Sequence, residues 1–245
     1  MSLRHATLAA TVVLAAAPFL AAPAHAEPTV LAELFTSQSC SSCPPADALL
    51  GELAKRPDVL ALSFHVDYWD RLGWRDLFSL HAATERQRRY AQLLGSEVYT
   101  PQLVIGGRAQ TVGSDRDSVE ALLSAARGDQ HTAASLTRSA DDSIELHIEA
   151  LPGGAMPSTA DILFVTFDPV HKTTIRGGEN EGVFLATYND VRSTRSLGRW
   201  SGQAIVLHVT PRANEIGSRA AVIVQSPDGF VRALASDPPK SSSSP

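Results

Sequence analysis

Apolar and polar positions along the chain fall into two regimes. Residues 29–35, TVLAELF, make a short β-prone run that ends just before a pair of cysteines. Beyond them Ala46, Leu49, Leu50 and Leu53 recur at helical spacing and mark one apolar face. Residues 58–66, DVLALSFHV, read as a buried strand, and 67–76, DYWDRLGWRD, as a loop rich in aromatic and charged side chains. The stretch 77–95 predicts a helix ended by Gly95. Residues 101–105 predict a strand, Gly106-Gly107 a tight turn, and 108–112 the returning strand. Ser114 and Asp117 resemble a capping box with the shorter acid, opening a helix whose face is Val119, Leu122, Leu123 and Ala126. The order over 29–128 is β-α-β-α-β-β-α, an α/β pattern with a closing hairpin.

From about residue 131 the period shifts from helical to alternating. Runs at 143–150, 161–167, 203–210, 220–226 and 229–235 predict strands, separated by turn signals such as Pro227-Asp228-Gly229. The expected organisation is an export signal at 1–26, an α/β domain at 27–130, a smaller, mostly β domain at 131–236 and a disordered tail at 237–245.

The amino terminus reads as that signal because Arg4 precedes an alanine-rich apolar run ending in Ala24-His25-Ala26, a small-x-small cleavage pattern. The mature chain is then expected in the periplasm or outside the cell, with no membrane contact after cleavage. Removing Arg4 leaves 20 basic against 26 acidic residues, a charge of −6, which argues against nucleic acid as a partner.

Cys40 and Cys43 are the only cysteines, in the stretch SCSSCPP. In an oxidising compartment such a pair can form a disulfide. Proline is comfortable only at the first helical position, and the residue before a proline is biased away from helical angles. The two cysteines are therefore expected in a loop or distorted turn, with regular helix starting near Pro45.

With CxxC at the end of the first strand, the element order resembles the thioredoxin fold. YTPQLVIGGR (99–108) is similar to that fold's cis-proline, strand and glycine turn, and VGSDRDSVEALL (112–123) resembles the last turn and helix of glutaredoxin. The stretches ELFTSQSCSSCPPAD, FHVDYWDRLGW and RGGENEGVFLATYNDVR resemble a family of exported bacterial thioredoxin-like proteins of unknown function. The resemblance implies an α/β thioredoxin-like domain, with Pro101 facing the dithiol and Glu33 near the place of a buried acid. Two departures stand out: Ser39, not Trp, precedes Cys40, and one extra residue separates Glu33 from it.

These readings assign Cys40 as the nucleophile of a thiol–disulfide oxidoreductase and Cys43 as the resolving thiol. Glu33 is the candidate proton acceptor, and His65, at the carboxyl end of a strand, a candidate for stabilising a thiolate. Tyr68, Trp69, Trp74 and Thr100 are candidates for a substrate wall, the substrate being a protein or small thiol or disulfide. No cofactor is expected on this reading. A copper- or zinc-binding alternative uses Cys40, Cys43 and His65, a set that loosely resembles Sco-family copper chaperones. A third reading is a binding protein whose disulfide is inert. Arg176, Glu179, Asn180, Asn189 and Arg192 form a polar cluster in sequence, expected to serve as an interdomain hydrogen-bond network.

Overall fold

The computed structural model describes residues 30–237 except 130, 154, 155 and 157. The export signal and nearly all of the expected tail lie outside the described residues.

In the first half the elements stand close to where periodicity puts them. They are β1 (Val30–Thr36), α1 (Pro44–Leu53), β2 (Val59–His65), α2 (His81–Leu94), β3 (Gln102–Ile105), β4 (Ala109–Val112) and α3 (Arg116–Ala126). Gly95 ends α2 in the left-handed region at φ 61°. The cap of α3 differs from expectation: Asp115, not Ser114, accepts the Ser118 N–H.

The second half adds β5 (Ala134–Arg138), β6 (Ile144–Ile148), β7 (Ala160–Thr174), β8 (Phe184–Trp200), β9 (Ile205–Val209), β10 (Arg219–Gln225) and β11 (Val231–Ser236). Neither β5 nor the 17-residue β8 is evident from the alternation pattern.

That long strand overturns the expected fold class. The protein is not an α/β thioredoxin-like domain followed by a smaller β domain. It is mostly β, with one eight-stranded mixed sheet ordered β11-β10-β7-β8-β2-β1-β3-β4 and a three-stranded sheet ordered β5-β6-β9. The physical reason is pairing across the middle of the chain. β8 runs antiparallel to β7 and meets β2 in parallel at Ser63 and Asp190. Strands from the second half thereby extend the sheet begun by the first.

Three cores follow. One face of the large sheet surrounds α2 with Leu31, Phe35, Phe64, Phe167, Ile223 and Leu234, drawn from both halves of the chain. The opposite face buries α1 and α3 against Ala32, Leu34, Ala61 and Leu103. Further along that sheet, Ile162, Phe164, Val222 and Val224 pack on the three-stranded sheet and Trp200. Alternation along β1 assigns the faces: residues 30, 32 and 34 meet α1 and α3, whereas 31 and 35 meet α2. The sheet also brings two turns together. A Cβ on Gly107 would collide with the Gly229 carbonyl oxygen, and both glycines have positive φ.

Candidate functional site

The cysteines occupy the turn between β1 and α1. Cys40 and Cys43 form a disulfide with a Cα separation of 5.4 Å. The Cys43 N–H donates to the Cys40 carbonyl at 3.1 Å, and Cys43 caps α1, which starts at Pro44. The disulfide thus lies outside the regular helix, as expected, but the helix starts at Pro44 rather than Pro45, and Cys43 already has helical angles although it precedes a proline. The prolines also remove two N–H groups from the helix start, leaving hydroxyls as the donors beside Cys40. Thr100 Oγ1 donates to Cys40 Sγ at 3.3 Å, and Ser42 Oγ lies 3.4 Å from the same sulfur.

Thr100 is in turn held by Trp69, whose indole N–H donates to Thr100 Oγ1 at 2.9 Å. The Thr100–Pro101 peptide bond is cis. Trp69 therefore acts on the disulfide through Thr100. Tyr68 donates to Gln87 and, with Trp69, packs on the core around α2. The Trp74 indole donates to the Gln38 side chain at 3.0 Å, and its carbonyl accepts from Ser39 Oγ.

Glu33 is not the acid of this site. Its odd position turns it to the α2 face of β1, away from α1. There it is fully buried, pairs with Arg86 at 2.5 Å and accepts from the Tyr90 hydroxyl. Burial pulls the Arg86 pKa down, but Glu33 outweighs it and raises it. This is a satisfied internal ion pair.

The acid near the cysteines is Asp47, one helical turn after Cys43. Its backbone N–H donates to the Cys43 carbonyl at 3.0 Å, so both residues share one side of the first turn. Thr36 Oγ1 donates to Asp47 Oδ1 at 2.9 Å, while the buried Oδ2 has no hydrogen-bond partner. Burial pushes its carboxyl up to about 7; nearby Asp190 and Asp76 add to the rise, and His65 and the Thr36 bond oppose it. The sequence carried a signal for this residue: Asp47 stands three before Leu50, on the inward stripe of the helix.

His65 pairs with Thr36 across β1 and β2, and so lies on the face that carries Asp47. Both its nitrogens are engaged, Nδ1 with Asp76 at 2.7 Å and Nε2 with Asp190 at 3.1 Å. Burial depresses its pKa, yet the two carboxylates outweigh burial and hold it well above the ordinary value. Burial likewise opposes ionisation of Asp76 and Asp190, and His65 reverses this and lowers both. His65 is therefore an imidazolium donating to two carboxylates. It has no nitrogen left for a metal. Among the described residues, no group of three or more His, Cys, Asp or Glu side chains is placed to hold a metal ion.

Asp76 also accepts the Gln38 N–H at 2.7 Å, and Asp190 is bonded by Thr187 and by His171, each at 2.7 Å. The charged network thus runs from the cysteine turn to a half-buried histidine on β7. Asp76 and Asp190 escaped sequence reasoning because their partner stands 11 and 125 residues away.

The expected polar cluster divides between several tasks. Asn180 donates through Nδ2 to the carbonyls of Gln38 and Cys40, at 2.9 and 2.8 Å. Glu179 accepts from Ser41 N–H at 3.2 Å and Ser41 Oγ at 2.7 Å. Asn189 donates to the Ala61 carbonyl, Arg192 lies over the Phe78 ring, and Arg176 is exposed. The β7–β8 loop thereby straps the cysteine turn, and both cysteines are 0 % exposed.

The model of a family described as a protein of unknown function (DUF1223) matches residues 31–225. A crystal structure of an Agrobacterium tumefaciens protein is similar, with 29% identity and a TM-score of 0.71, over 85% of this chain and 91% of that one. HBP35 of Porphyromonas gingivalis shares the fold at 11% identity and a TM-score of 0.61, over 89% of this chain and 79% of the other. No curated protein matches the chain.

Proposed function

The chain belongs to the DUF1223 family, whose function is unknown, and from its own site we propose that it is a thiol–disulfide exchange protein reacting at Cys40–Cys43. The observation that carries this reading is Asp47. A carboxyl buried with an unpartnered oxygen is costly, and a disulfide that served only as a staple has no use for one. Exchange has such a use. An attacking thiolate bonds to Cys40 Sγ, the sulfur–sulfur bond breaks, and the electron pair leaves on Cys43 Sγ. That thiolate then takes one proton from Asp47, which near neutral pH is partly protonated. Oxidation returns the proton. Thr100 and Ser42 stabilise sulfur charge on Cys40 by donating hydroxyls. An exported setting, read from residues 1–26, forms part of the same proposal.

Equilibration with dithiol buffers of graded potential tests the reading, with Cys40→Ser and Cys43→Ser as controls. The expected outcome is reversible two-electron reduction and exchange with a model disulfide, abolished by either substitution. A disulfide that stays intact under strong reductant in the folded protein would sink the proposal. It would favour instead an inert disulfide in a binding protein, the reading that complete burial of both cysteines supports.

A further inference from the structure

The disulfide lies under a cover that carries charge. Neither cysteine is exposed, whereas Ser41 and Ser42 between them are, so the serines form part of the open surface next to the disulfide. Over Ser41 stands Glu179, at the tip of the β7–β8 loop, with one carboxylate oxygen accepting both Ser41 donors. The loop is held close by Asn180 and by Gly178, whose φ of +74° disfavours a side chain and whose Cβ position would lie only 3.3 Å from Trp74 Cβ.

Glu179 is ionised and uncompensated. The Ser41 hydroxyl and N–H bonds hold its carboxyl below the ordinary value, and among the described residues no cation pairs with it. A fixed charge beside a reacting sulfur acts on any charged reactant that approaches it. Like charges close to contact in water change a rate by roughly fivefold, and salt screens the effect.

We propose that Glu179 is a specificity-determining residue of the Cys40–Cys43 disulfide, screening out anionic thiols and admitting neutral or cationic ones. The inference rests on the exchange reading and deepens it by naming the substrate class. The overall step is balanced. One thiolate attacks Cys40 and displaces Cys43, which is protonated. A second thiolate attacks the mixed disulfide, releasing the oxidised small molecule and the Cys40 thiolate, so that two thiols supply the two electrons.

The test compares 2-mercaptoethanol, 3-mercaptopropionate and cysteamine at matched thiolate concentration and low ionic strength, on the intact oxidised protein and on its Glu179→Gln variant. Glutamine keeps the size and the acceptor oxygen and removes only the charge. Wild type is expected to react about fivefold more slowly with mercaptopropionate than with mercaptoethanol, after correction for their intrinsic rates on a small disulfide. The variant should lose that gap, with mercaptopropionate accelerated more than mercaptoethanol, whose single thiolate charge is the one common to all three reagents. Cysteamine should move in the opposite sense, and added salt should narrow all differences in wild type. An unchanged ratio in the variant would overturn the inference and leave exchange standing. Equal acceleration of all three thiols would overturn it too, because the charge would then act only on the thiolate common to all three and would not discriminate between their substituents. Failure of wild type to react with any of the three would remove the exchange reading itself, and the inference with it.

Discussion

Asp47 is the residue where chemistry and stability pull in opposite directions. Its carboxyl titrates near 3.8 when exposed and at about 7 when folded. Between those values the folded chain holds a proton that the unfolded chain has released, so stability falls as pH rises. The cost is absent below about pH 4, complete above about pH 7, and on the order of 4 kcal/mol by the size of the shift. Asp47→Asn removes the ionisation. It is expected to stabilise the oxidised protein by on the order of 4 kcal/mol at pH 8 and to change little at pH 4, read from urea unfolding at both. An equal effect at the two pH values would contradict the assigned titration. His65 has the opposite sign. Its stabilisation is whole below its unfolded value of 6.5 and fades only as pH climbs through the higher folded value. On sequence alone Glu33 was chosen over Asp47, although the strand period argues the other way. Glu33 stands at an odd position of β1, and the strand's period of two sends it to the wrong face for a group on α1. Asp47 lay inside the motif but was not singled out, although it stands on the inward stripe with Leu50.

At the scale of elements, strong periodicity was legible and mixed patterning was not. α1 and α3 announce themselves by spacing, and Pro44-Pro45 fixes where α1 starts because proline chemistry is local. β8 hid for a physical reason. It carries Thr187, Asn189 and Asp190 at buried positions where a core strand would show apolar residues, because its neighbours include the buried network around His65 as well as a core. The Gly106-Gly107 turn was visible as a turn, but its contact with Gly229 was not, since the two are joined only by the curl of the sheet. Gly107→Ala sets a methyl group against that carbonyl at φ +70° and is expected to cost about 2 kcal/mol or more. Thermal unfolding of this variant beside Gly95→Ala, where positive φ applies but no described atom crowds the position, separates collision from backbone strain. Equal losses in both would refute the close-approach argument.

For the whole molecule, the decisive fact is that the core around α2 is shared. Phe35 and Phe64 come from the first half, and Phe167, Val191, Ile223 and Leu234 from the second. Composition and periodicity set out most of the individual strands, but they do not say which strands are neighbours, so the junction of β2 with β8 was beyond reach. One consequence is cooperative. A fragment ending at residue 130 would bare the α2 face of β1 and β2, including the paired Glu33, and is expected to show no folding transition. The full chain should unfold with coincident circular-dichroism and fluorescence transitions. A stable, cooperatively folding fragment would show that the shared core is not required.

The strap over the cysteines has an implication in time as well as in space. Asn180 meets the Cys40 carbonyl across 140 residues of chain. A polypeptide emerging amino terminus first presents its two thiols long before the segment that shelters them exists. The oldest part of the nascent chain therefore stays open to whatever oxidant it meets, and the lock arrives only after the pair has had its chance to close.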